Sequence, residues 1–365
     1  MAKLSCRASD RLLLAINYAL LIGGSVSSTM LTRFYFIHGG SSRWLTTIVQ
    51  SSAFPLLLIP IIISTTTTTS TPIFSNFTPK LLLLCLAIGL LNGVNNLLIS
   101  WGISYLPVST SSLILSSQLA FTLILSAFLV HQPITFVNLN CVILLTLSSV
   151  LLAIGSEDGD RKNGITKLQY FLGFMATMGA ALLFALYLPL VQLVYKRLSK
   201  YKMVMEMQVV MQGAATGLAL VGMVAGGGVE EVRKEGKGEG GFEYGGGVYW
   251  GVVVVVTGVC WQMCFMGTAG LVFLTSSLNC GICMTATLVV NVVGGVVVFG
   301  DGFGGVKGVA CVLCLWGFCS YLYGEYRKKK KEEMEMEMEM EMVGRVNGSE
   351  SGDGGSQHGD DGGLI

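Results

Sequence analysis

Apolar runs of about twenty residues recur along most of the chain, and short polar stretches separate them. An α-helix needs about 20 apolar residues to cross the hydrocarbon core of a bilayer. Only two charged residues, Glu206 and Lys307, lie inside these runs, each close to the start of its run. The pattern predicts an all-α integral membrane protein of about ten transmembrane helices, with nine or eleven as the alternatives. The predicted spans are 12–32, 44–64, 81–101, 108–130, 134–154, 168–194, 204–225, 248–270, 276–299 and 305–323.

The polar stretches divide the chain into five regions. Residues 1–11 are a basic N-terminus, and residues 12–154 and 168–323 each contain five predicted spans, joined by a polar loop at 155–167. Residues 324–365 begin with a lysine run, continue as Glu-Met alternation and end in Gly, Ser and Asp. Such a composition predicts a disordered tail.

The two sets of five spans share a faint pattern of apolar, Ser/Thr and small residues. A shift of 168 residues lays YLPVSTSSLIL, which begins at Tyr105, over FLTSSLNCGIC, which begins at Phe273. Because five is an odd number, two such repeats would have opposite orientations in the membrane. Inverted repeats place a substrate site near the bilayer midplane, where the halves meet. The pattern therefore favours a carrier.

The overall composition agrees with a bilayer as the solvent. The chain is 52% hydrophobic and 12% charged, with a mean hydropathy of +0.66, whereas soluble domains carry about 25% charged residues. If the N-terminus is cytoplasmic and there are ten spans, 14 of the 23 Lys and Arg residues lie on the cytoplasmic side. This bias predicts that both termini are cytoplasmic.

The sequence contains no recognisable catalytic constellation. It has no nucleotide-binding motif, no nucleophile elbow and no pair of carboxylates in one span, so we expect no enzyme, no catalytic residue and no cofactor. Gly-rich residues 226–247 lack the strand and helix that flank a phosphate loop and are predicted to be a flexible loop. Cys280-x-x-Cys283 and Cys311-x-x-Cys314 have zinc-like spacing, but they lie in apolar helices without nearby His or acidic residues. We therefore expect no metal site.

Amide, hydroxyl and aromatic residues cluster in four otherwise apolar spans. Polar groups at membrane depth are costly unless paired and often line a pathway, although they also bond neighbouring helices together. Asn and Gln can bond a purine edge through two hydrogen bonds, and aromatic rings stack on flat heterocycles. For the cluster as a whole we favour a pathway. Its residues are Asn92, Asn95, Asn96, Trp101, Ser109–Ser112, Ser116–Gln118, Trp261, Gln262, Asn279 and Asn291.

Five of these residues are predicted to line a substrate site: Asn95, Asn96, Gln118, Trp261 and Gln262.

Glu206 is the only acidic residue inside a predicted span. A carboxylate at membrane depth could carry a proton, which makes Glu206 a candidate proton relay. It lies just after Lys200 and Lys202, so a solvated position at the membrane interface is the alternative. Lys307 is expected to extend its ammonium group to the interface.

Several motifs resemble those of plant purine permeases. The most specific is LPVSTSSLILSSQLAFT at 106–122. The others follow in the order of that family between about residue 11 and residue 326. They are Trp44-Leu45 before Phe54-Pro55, Gly93-Val94-Asn95-Asn96, Trp261-Gln262 before Gly267, and Leu315-Trp316-Gly317-Phe318 before Ser320-Tyr321.

The resemblance implies a ten-span fold of the drug/metabolite transporter type and proton-coupled uptake of purine bases and related heterocycles, including cytokinins. The proton gradient would be the driving force, the plasma membrane the location, and the partners a purine-like substrate and the lipid bilayer, with no nucleic acid. Many members have an acidic residue where this chain has Asn95, and Pro and Glu where it has Val289 and Val292. These differences remove candidate proton carriers.

Two other functions fit the sequence. Because one fold can carry many substrates, the first is a carrier of an unrelated small metabolite. The second is a non-transporting receptor or scaffold, which the missing acidic residues and the basic tail would favour. The sequence leaves open the exact substrate, the direction of flux and the oligomeric state.

Overall fold

The structure is a computed structural model that describes residues 2–67, 74–75, 77–130, 136–155, 166–196, 198, 200–237 and 247–350. Every regular element in these residues is helical. A 3-10 turn, Phe54–Leu57, connects α2 to α3. The helices are α1 (Ala2–Ile37), α2 (Arg43–Ser52), α3 (Leu58–Thr67), α4 (Pro79–Tyr105), α5 (Val108–Leu115), α6 (Ser117–Val130), α7 (Phe136–Gly155), α8 (Lys167–Tyr195), α9 (Tyr201–Ala225), α10 (Gly228–Gly236), α11 (Val248–Leu274), α12 (Ser277–Phe299) and α13 (Gly305–Glu350).

Eight helical segments of the described residues are long and apolar enough to cross a membrane. The predicted fifth and tenth spans contain shorter apolar helices, Leu139–Ser148 and Gly305–Ser320. The chain is therefore a multi-pass integral membrane protein, as predicted, and every regular element in its described part is helical. The eight long segments are Leu12–Ile37, Arg43–Thr66, Pro79–Tyr105, Val108–Leu129, Lys167–Tyr195, Tyr201–Ala225, Val248–Leu274 and Ser277–Phe299.

Two of the predicted spans contain a break. In the second span, Pro55 lies in the 3-10 turn between α2 and α3, because proline has no N–H to continue a helical hydrogen-bond ladder. In the fourth span, α5 and α6 are separated at Ser116. The Ser116 hydroxyl donates to the carbonyl oxygen of Leu113 over 2.6 Å, and such bonds compete with the helix backbone and bend it.

The Gly-rich segment 226–247 is partly ordered. It contains α10, a nine-residue helix in which the side chain of Glu235 is buried. The sequence predicted a flexible loop here, because its glycines and charges give no apolar face. Residues 238–246 of the segment lie outside the described residues.

The last helix continues beyond its apolar part. It runs through residues 324–350, where the sequence predicted disorder. Glu, Met and Lys are good helix formers, and Lys331 pairs with Glu335 one turn later, with 3.6 Å between nitrogen and oxygen. The rest of the predicted tail, 351–365, and residues 156–165 of the predicted loop lie outside the described residues.

Helices α1 and α11 approach each other closely through glycines on both. A Cβ atom on Gly24 of α1 would lie 2.4 Å from the backbone nitrogen of Cys264 and 2.7 Å from the carbonyl oxygen of Cys260. On α11, a Cβ atom on Gly267 would lie 2.4 Å from the backbone nitrogen of Leu21. Only glycine permits this distance, so α1 and α11 form an interlocked pair.

Helices α4 and α8 pack in a similar way. Gly102 of α4 lies against Thr177, and Gly173 of α8 lies against Tyr105. The other main contacts join α4 to α9, α2 to α9 and α11, α6 to α8, α12 to α1 and α5, and α7 to α13. These contacts surround a central space between α1, α4, α5, α8, α11 and α12.

Candidate functional site

A cavity with about 60 Å³ of space for the centres of water-sized molecules lies in this central space, several times the roughly 10–15 Å³ that a single water molecule needs. Its lining residues all lie in the described part of the chain, and none of them is charged. They are Ser25, Thr29, Asn95, Ile99, Ile103, Ser111, Ser112, Leu115, Gln118, Ala180, Phe184, Trp261, Cys264, Phe265, Thr268, Met284, Thr287, Leu288 and Asn291.

Helices α4, α11 and α12 each contribute one face to the cavity. On α11 the lining residues from Trp261 to Thr268, and on α12 those from Met284 to Asn291, follow the spacing i, i+3, i+4, i+7. On α4 the lining residues lie four positions apart, from Asn95 to Ile103. Residues with these spacings lie on one side of a helix, so the cavity wall follows directly from helical periodicity.

Two asparagines and a serine bring unpaired polar atoms to this wall. Asn95 is 1% exposed, and neither of its amide atoms has a hydrogen-bond partner among the described residues. The Oδ1 atom of Asn291 and the hydroxyl of Ser112 also have none within that part of the chain. A buried polar atom without a partner costs about 1–3 kcal/mol. The cavity therefore offers donors and acceptors that a bound molecule could satisfy.

Aromatic rings form another part of the wall. Trp261 and Phe265 lie one turn apart on α11, with 6.0 Å between their ring centroids. The indole Nε1 of Trp261 donates to the hydroxyl of Thr32 over 3.3 Å, and that hydroxyl donates to the carbonyl oxygen of Ser28 over 2.7 Å. Phe184 faces the cavity from α8. Aromatic faces beside unpaired amides suit a flat heterocycle with polar atoms at its edge.

The structure brings three of the six predicted site residues together at the cavity: Asn95, Gln118 and Trp261. Asn96 and Gln262 are buried outside its lining, and their amide atoms lack partners among the described residues. Each follows a lining residue directly in the chain. Successive side chains of an α-helix point about 100° apart, and Asn96 and Gln262 lie outside the faces of α4 and α11 that line the cavity.

Glu206, the sixth predicted residue, lies near the start of α9 and not in the cavity lining. It is 4% exposed, and its carboxylate lies 3.8 Å from the ammonium group of Lys202, one turn earlier on the same helix. The described structure thus pairs this carboxylate within its own helix and away from the central cavity.

Several lining residues were absent from the predicted set. Asn291 belonged to the polar cluster in the sequence, but nothing there indicated which face of α12 would line a site. Ser25 and Thr29 lie one turn apart on α1, a spacing that does indicate a polar face, and the hydroxyls of Ser25 and Thr287 lie 3.3 Å apart across α1 and α12. Phe184 gave no signal, because aromatic residues are common in apolar spans.

Comparisons with known proteins identify relatives along most of the chain. The family model described as purine nucleobase transmembrane transport matches residues 12–331. Probable purine permease 4 of Arabidopsis thaliana is 52% identical over 295 residues, which are 80% of this chain and 76% of that protein. Purine permease 2 of the same plant is 37% identical over 341 residues, 87% of this chain and 93% of that protein. One solved crystal structure, 15% identical in sequence, shares the fold with a TM-score of 0.56 over 85% of this chain and 98% of that chain.

Proposed function

The chain belongs to the purine permease family, a family of transporters and not of enzymes, and we propose that it carries purine bases and related flat heterocycles across a membrane. Adenine and cytokinin-like compounds are the substrates that we would test first. The proposal rests on the family together with the chemistry of the central cavity.

The observation that carries this proposal is the combination of unpaired amides and aromatic faces around one cavity. The amide of Asn95 on α4 offers a donor and an acceptor side by side, the pattern with which asparagine bonds the edge of adenine. Asn291 on α12 contributes a second acceptor without a partner in the described chain. The rings of Trp261, Phe265 and Phe184 would stack against a flat base.

We further propose that transport proceeds by alternating access in two inverted five-helix repeats, the arrangement of drug/metabolite transporters. Counting the ten predicted spans in chain order, the cavity residues come from spans 1, 3 and 4 and from spans 6, 8 and 9. These are the same three positions of each set of five. A cavity at the interface of two inverted repeats would have this composition.

The packing of the spans supports the same arrangement. Span 1 packs on span 8 and span 6 on span 3; span 3 packs on span 7 and span 8 on span 2; span 4 packs on span 6 and span 9 on span 1. In each pair of contacts, adding five to both span numbers of the first contact gives the second contact, if the count returns to span 1 after span 10. A pseudo-twofold axis in the membrane plane would produce these matched contacts.

Proton symport at the plasma membrane, with both termini cytoplasmic, completes the proposal. Because the cavity lining is uncharged, a coupling carboxylate would act from outside it. Glu206 is the candidate, since it is buried near one end of α9. A Glu206→Gln chain is then expected to take up substrate without sensitivity to a protonophore, whereas unchanged sensitivity would exclude Glu206 as the relay.

The first experiment is uptake of radiolabelled adenine into yeast cells that express the chain, with and without a protonophore. Saturable uptake that the protonophore abolishes is the expected result. Uptake that persists in the presence of the protonophore would mean that the chain is a facilitator of the same substrates and not a proton symporter.

Two further outcomes would contradict the proposed function. If unlabelled purines do not compete for uptake and an unrelated metabolite does, the chain is a carrier of another substrate class. If adenine binds to membrane vesicles containing the chain but never accumulates, the chain is a receptor. Measuring surface expression in the same cells distinguishes poor targeting from loss of transport as the cause of low uptake.

A further inference from the structure

Two buried carboxylates lie at one end of the helix bundle, and both are in segments that connect one long helix to the next. Glu235 lies in the last turn of α10, in the connection from α9 to α11, and Asp301 lies two residues after the end of α12. They are 1% and 8% exposed. We name this end, where α1, α4, α9 and α12 finish, the carboxylate end.

Glu235 accepts five hydrogen bonds. Its Oε2 accepts from the hydroxyl of Tyr35 over 2.5 Å and from the indole Nε1 of Trp250 over 3.3 Å. Its Oε1 accepts from the backbone nitrogen and the hydroxyl of Ser41, both over 2.8 Å, and from the backbone nitrogen of Ser42 over 3.2 Å. One carboxylate thus ties the connection after α9 to the end of α1, the start of α2 and the start of α11.

Asp301 makes the equivalent connection between α12 and α5. Its Oδ2 accepts from the backbone nitrogen of Ser109 over 3.0 Å and from the Ser109 hydroxyl over 3.1 Å. Lys307, at the start of α13, donates to the same hydroxyl over 3.2 Å and to the carbonyl oxygen of Gly302 over 2.7 Å. Lys307 is therefore 5% exposed inside this cluster, where the sequence predicted that it extends to the interface.

Arg33 and the partner of Asp301, Ser109, lie close to residues that line the cavity. Arg33 is 2% exposed and donates to the carbonyl oxygen of Ile103, a cavity-lining residue, over 2.7 Å. Thr29, which also lines the cavity, precedes Arg33 by one helical turn, about 6 Å along the axis. Ser112 lines the cavity three residues after Ser109. The contacts of Arg33 and Asp301 therefore lie within about one helical turn of residues that line the cavity.

At the opposite end, neutral hydrogen bonds join α9 to α1 and α12 to α8, and the charged pair of Lys202 and Glu206 lies within α9. The Tyr201 hydroxyl of α9 donates to Asn17 Oδ1 of α1 over 2.9 Å, and the Ser277 hydroxyl of α12 donates to Gln192 Oε1 of α8 over 2.5 Å. Hydrogen bonds to an ionised carboxylate are roughly twice as strong as neutral ones. The two carboxylates therefore give the carboxylate end charge-assisted hydrogen bonds between different helices.

We propose that Glu235 and Asp301 are gate residues, which close the substrate cavity at the carboxylate end and must release their donors before that end opens. The proposal rests on the proposed transport function. Each carboxylate accepts hydrogen bonds from helices that must separate if the cavity is to open there. Loss of either charge favours the state in which this end is open.

Cys264 provides a native probe, because it lines the cavity at 2% exposure. A membrane-impermeant, cationic methanethiosulfonate would be applied to one face of vesicles of known sidedness, and then to the other face. Modification of Cys264 would be followed by mass spectrometry of its peptide. An epitope inserted at residue 242, between α10 and α11, marks the face that carries the carboxylate end.

In the unaltered chain we expect slow modification from the carboxylate end. The double variant Glu235→Gln, Asp301→Asn is expected to react faster from that face, by about tenfold or more, because charge-assisted bonds that only the closed state makes are lost. The matched control is Glu231→Gln, which removes the same charge from an exposed position on α10 and should react as the unaltered chain does. From the opposite face the double variant should react no faster.

Equal rates in the double variant and the Glu231→Gln control, or fast modification of the unaltered chain from the carboxylate end, would overturn the proposal. If the double variant fails to reach the membrane, Tyr35→Phe with Ser41→Ala removes two donors and keeps both carboxylates, and the same faster modification is required of it. The readout needs no transported substrate, so a failure of purine uptake with an altered labelling rate would disprove the substrate assignment and leave the gate intact.

Discussion

Gln118 and Gln262 have the same side chain and nearly the same burial, 7% and 5% exposed, but only Gln118 lines the cavity. Replacing Gln118 by Ala removes a donor and an acceptor from the wall. A lost hydrogen bond worth about 1–3 kcal/mol corresponds to a roughly five- to 150-fold increase in the apparent KM for adenine. Uptake kinetics at matched surface expression measure this change.

Gln262→Ala is the control, and we expect its KM to stay within about twofold of the unaltered chain. If Gln262→Ala raises KM as much as Gln118→Ala does, the substrate contacts a different face of α11. Equal, unchanged kinetics in both variants would place the substrate elsewhere.

Asn291 gives a second prediction at the residue scale. Asn291→Ala removes an acceptor that has no partner in the described chain, so adenine would lose a bond that no protein group replaces, and KM should rise about fivefold or more. Asn279→Ala is the control, because Asn279 is half-buried near the start of α12 and away from the cavity lining. A competition series with analogues that lack one edge nitrogen would identify the atom that Asn291 bonds, and an unchanged series would remove Asn291 from the site.

The sequence identifies polar residues at membrane depth more readily than the direction in which they point. Asn95 and Asn96 are adjacent and equally unusual in an apolar span, and only the assembled helices distinguish them. Trp261 and Gln262 pose the same problem on α11. An error of one residue rotates the predicted face by about 100°, and tertiary packing alone determines which face meets the cavity.

At the scale of elements, the interlocked pair α1–α11 makes a sharp prediction. A methyl group at Gly24 would lie 2.4 Å from a backbone atom of α11, whereas one at Gly23 meets nothing within 4 Å. Gly24→Ala should therefore lower stability by about 1–3 kcal/mol through overpacking. Gly23→Ala should leave it unchanged or raise it by up to about 1 kcal/mol, since alanine favours the helix.

Thermal unfolding of the two purified variants in one detergent measures this difference, with the unaltered chain alongside. A Gly24→Ala chain as stable as Gly23→Ala would mean that α1 and α11 are farther apart than 2.4 Å implies. Transport by Gly24→Ala should fall in parallel with its stability.

The sequence predicts a helix well where the length of an apolar run determines it. The long spans were predicted within a few residues, because about twenty apolar residues have few alternatives to a transmembrane helix. The break at Ser116 was missed, since it depends on hydroxyls that turn back to their own backbone. Helix α10 was missed because its buried anchor, Glu235, accepts four of its five hydrogen bonds from residues 35–42, which are far away in the chain.

The whole molecule can be tested by shortening it. The contacts between α13 and α7 include Ser148 with the carbonyl oxygen of Ala310, 2.9 Å apart, and Asn140 with Ser320, 3.2 Å apart. Beyond residue 331 the described side chains are exposed. A chain that ends at residue 331 should therefore keep adenine uptake within about twofold and the same surface level.

A chain that ends at residue 309 is the control, because it loses both contacts with α7 and should not accumulate. If the chain ending at residue 331 reaches the surface but transports poorly, the continuation of α13 has a role in transport that its exposed side chains do not indicate.

The uncharged wall of the cavity also selects solutes by their net charge. A solute that enters exchanges its hydration for dipoles and ring faces, and no ion of opposite sign is available to replace the lost water. A net charge left in such surroundings costs several kcal/mol or more. For a weak acid or base, only the electrically neutral microstate would then travel. The transport rate of an ionisable analogue would follow the fraction of it that is neutral at the pH of the compartment it leaves. An analogue whose pKa lies outside the tested pH range would be transported at the same rate at every pH.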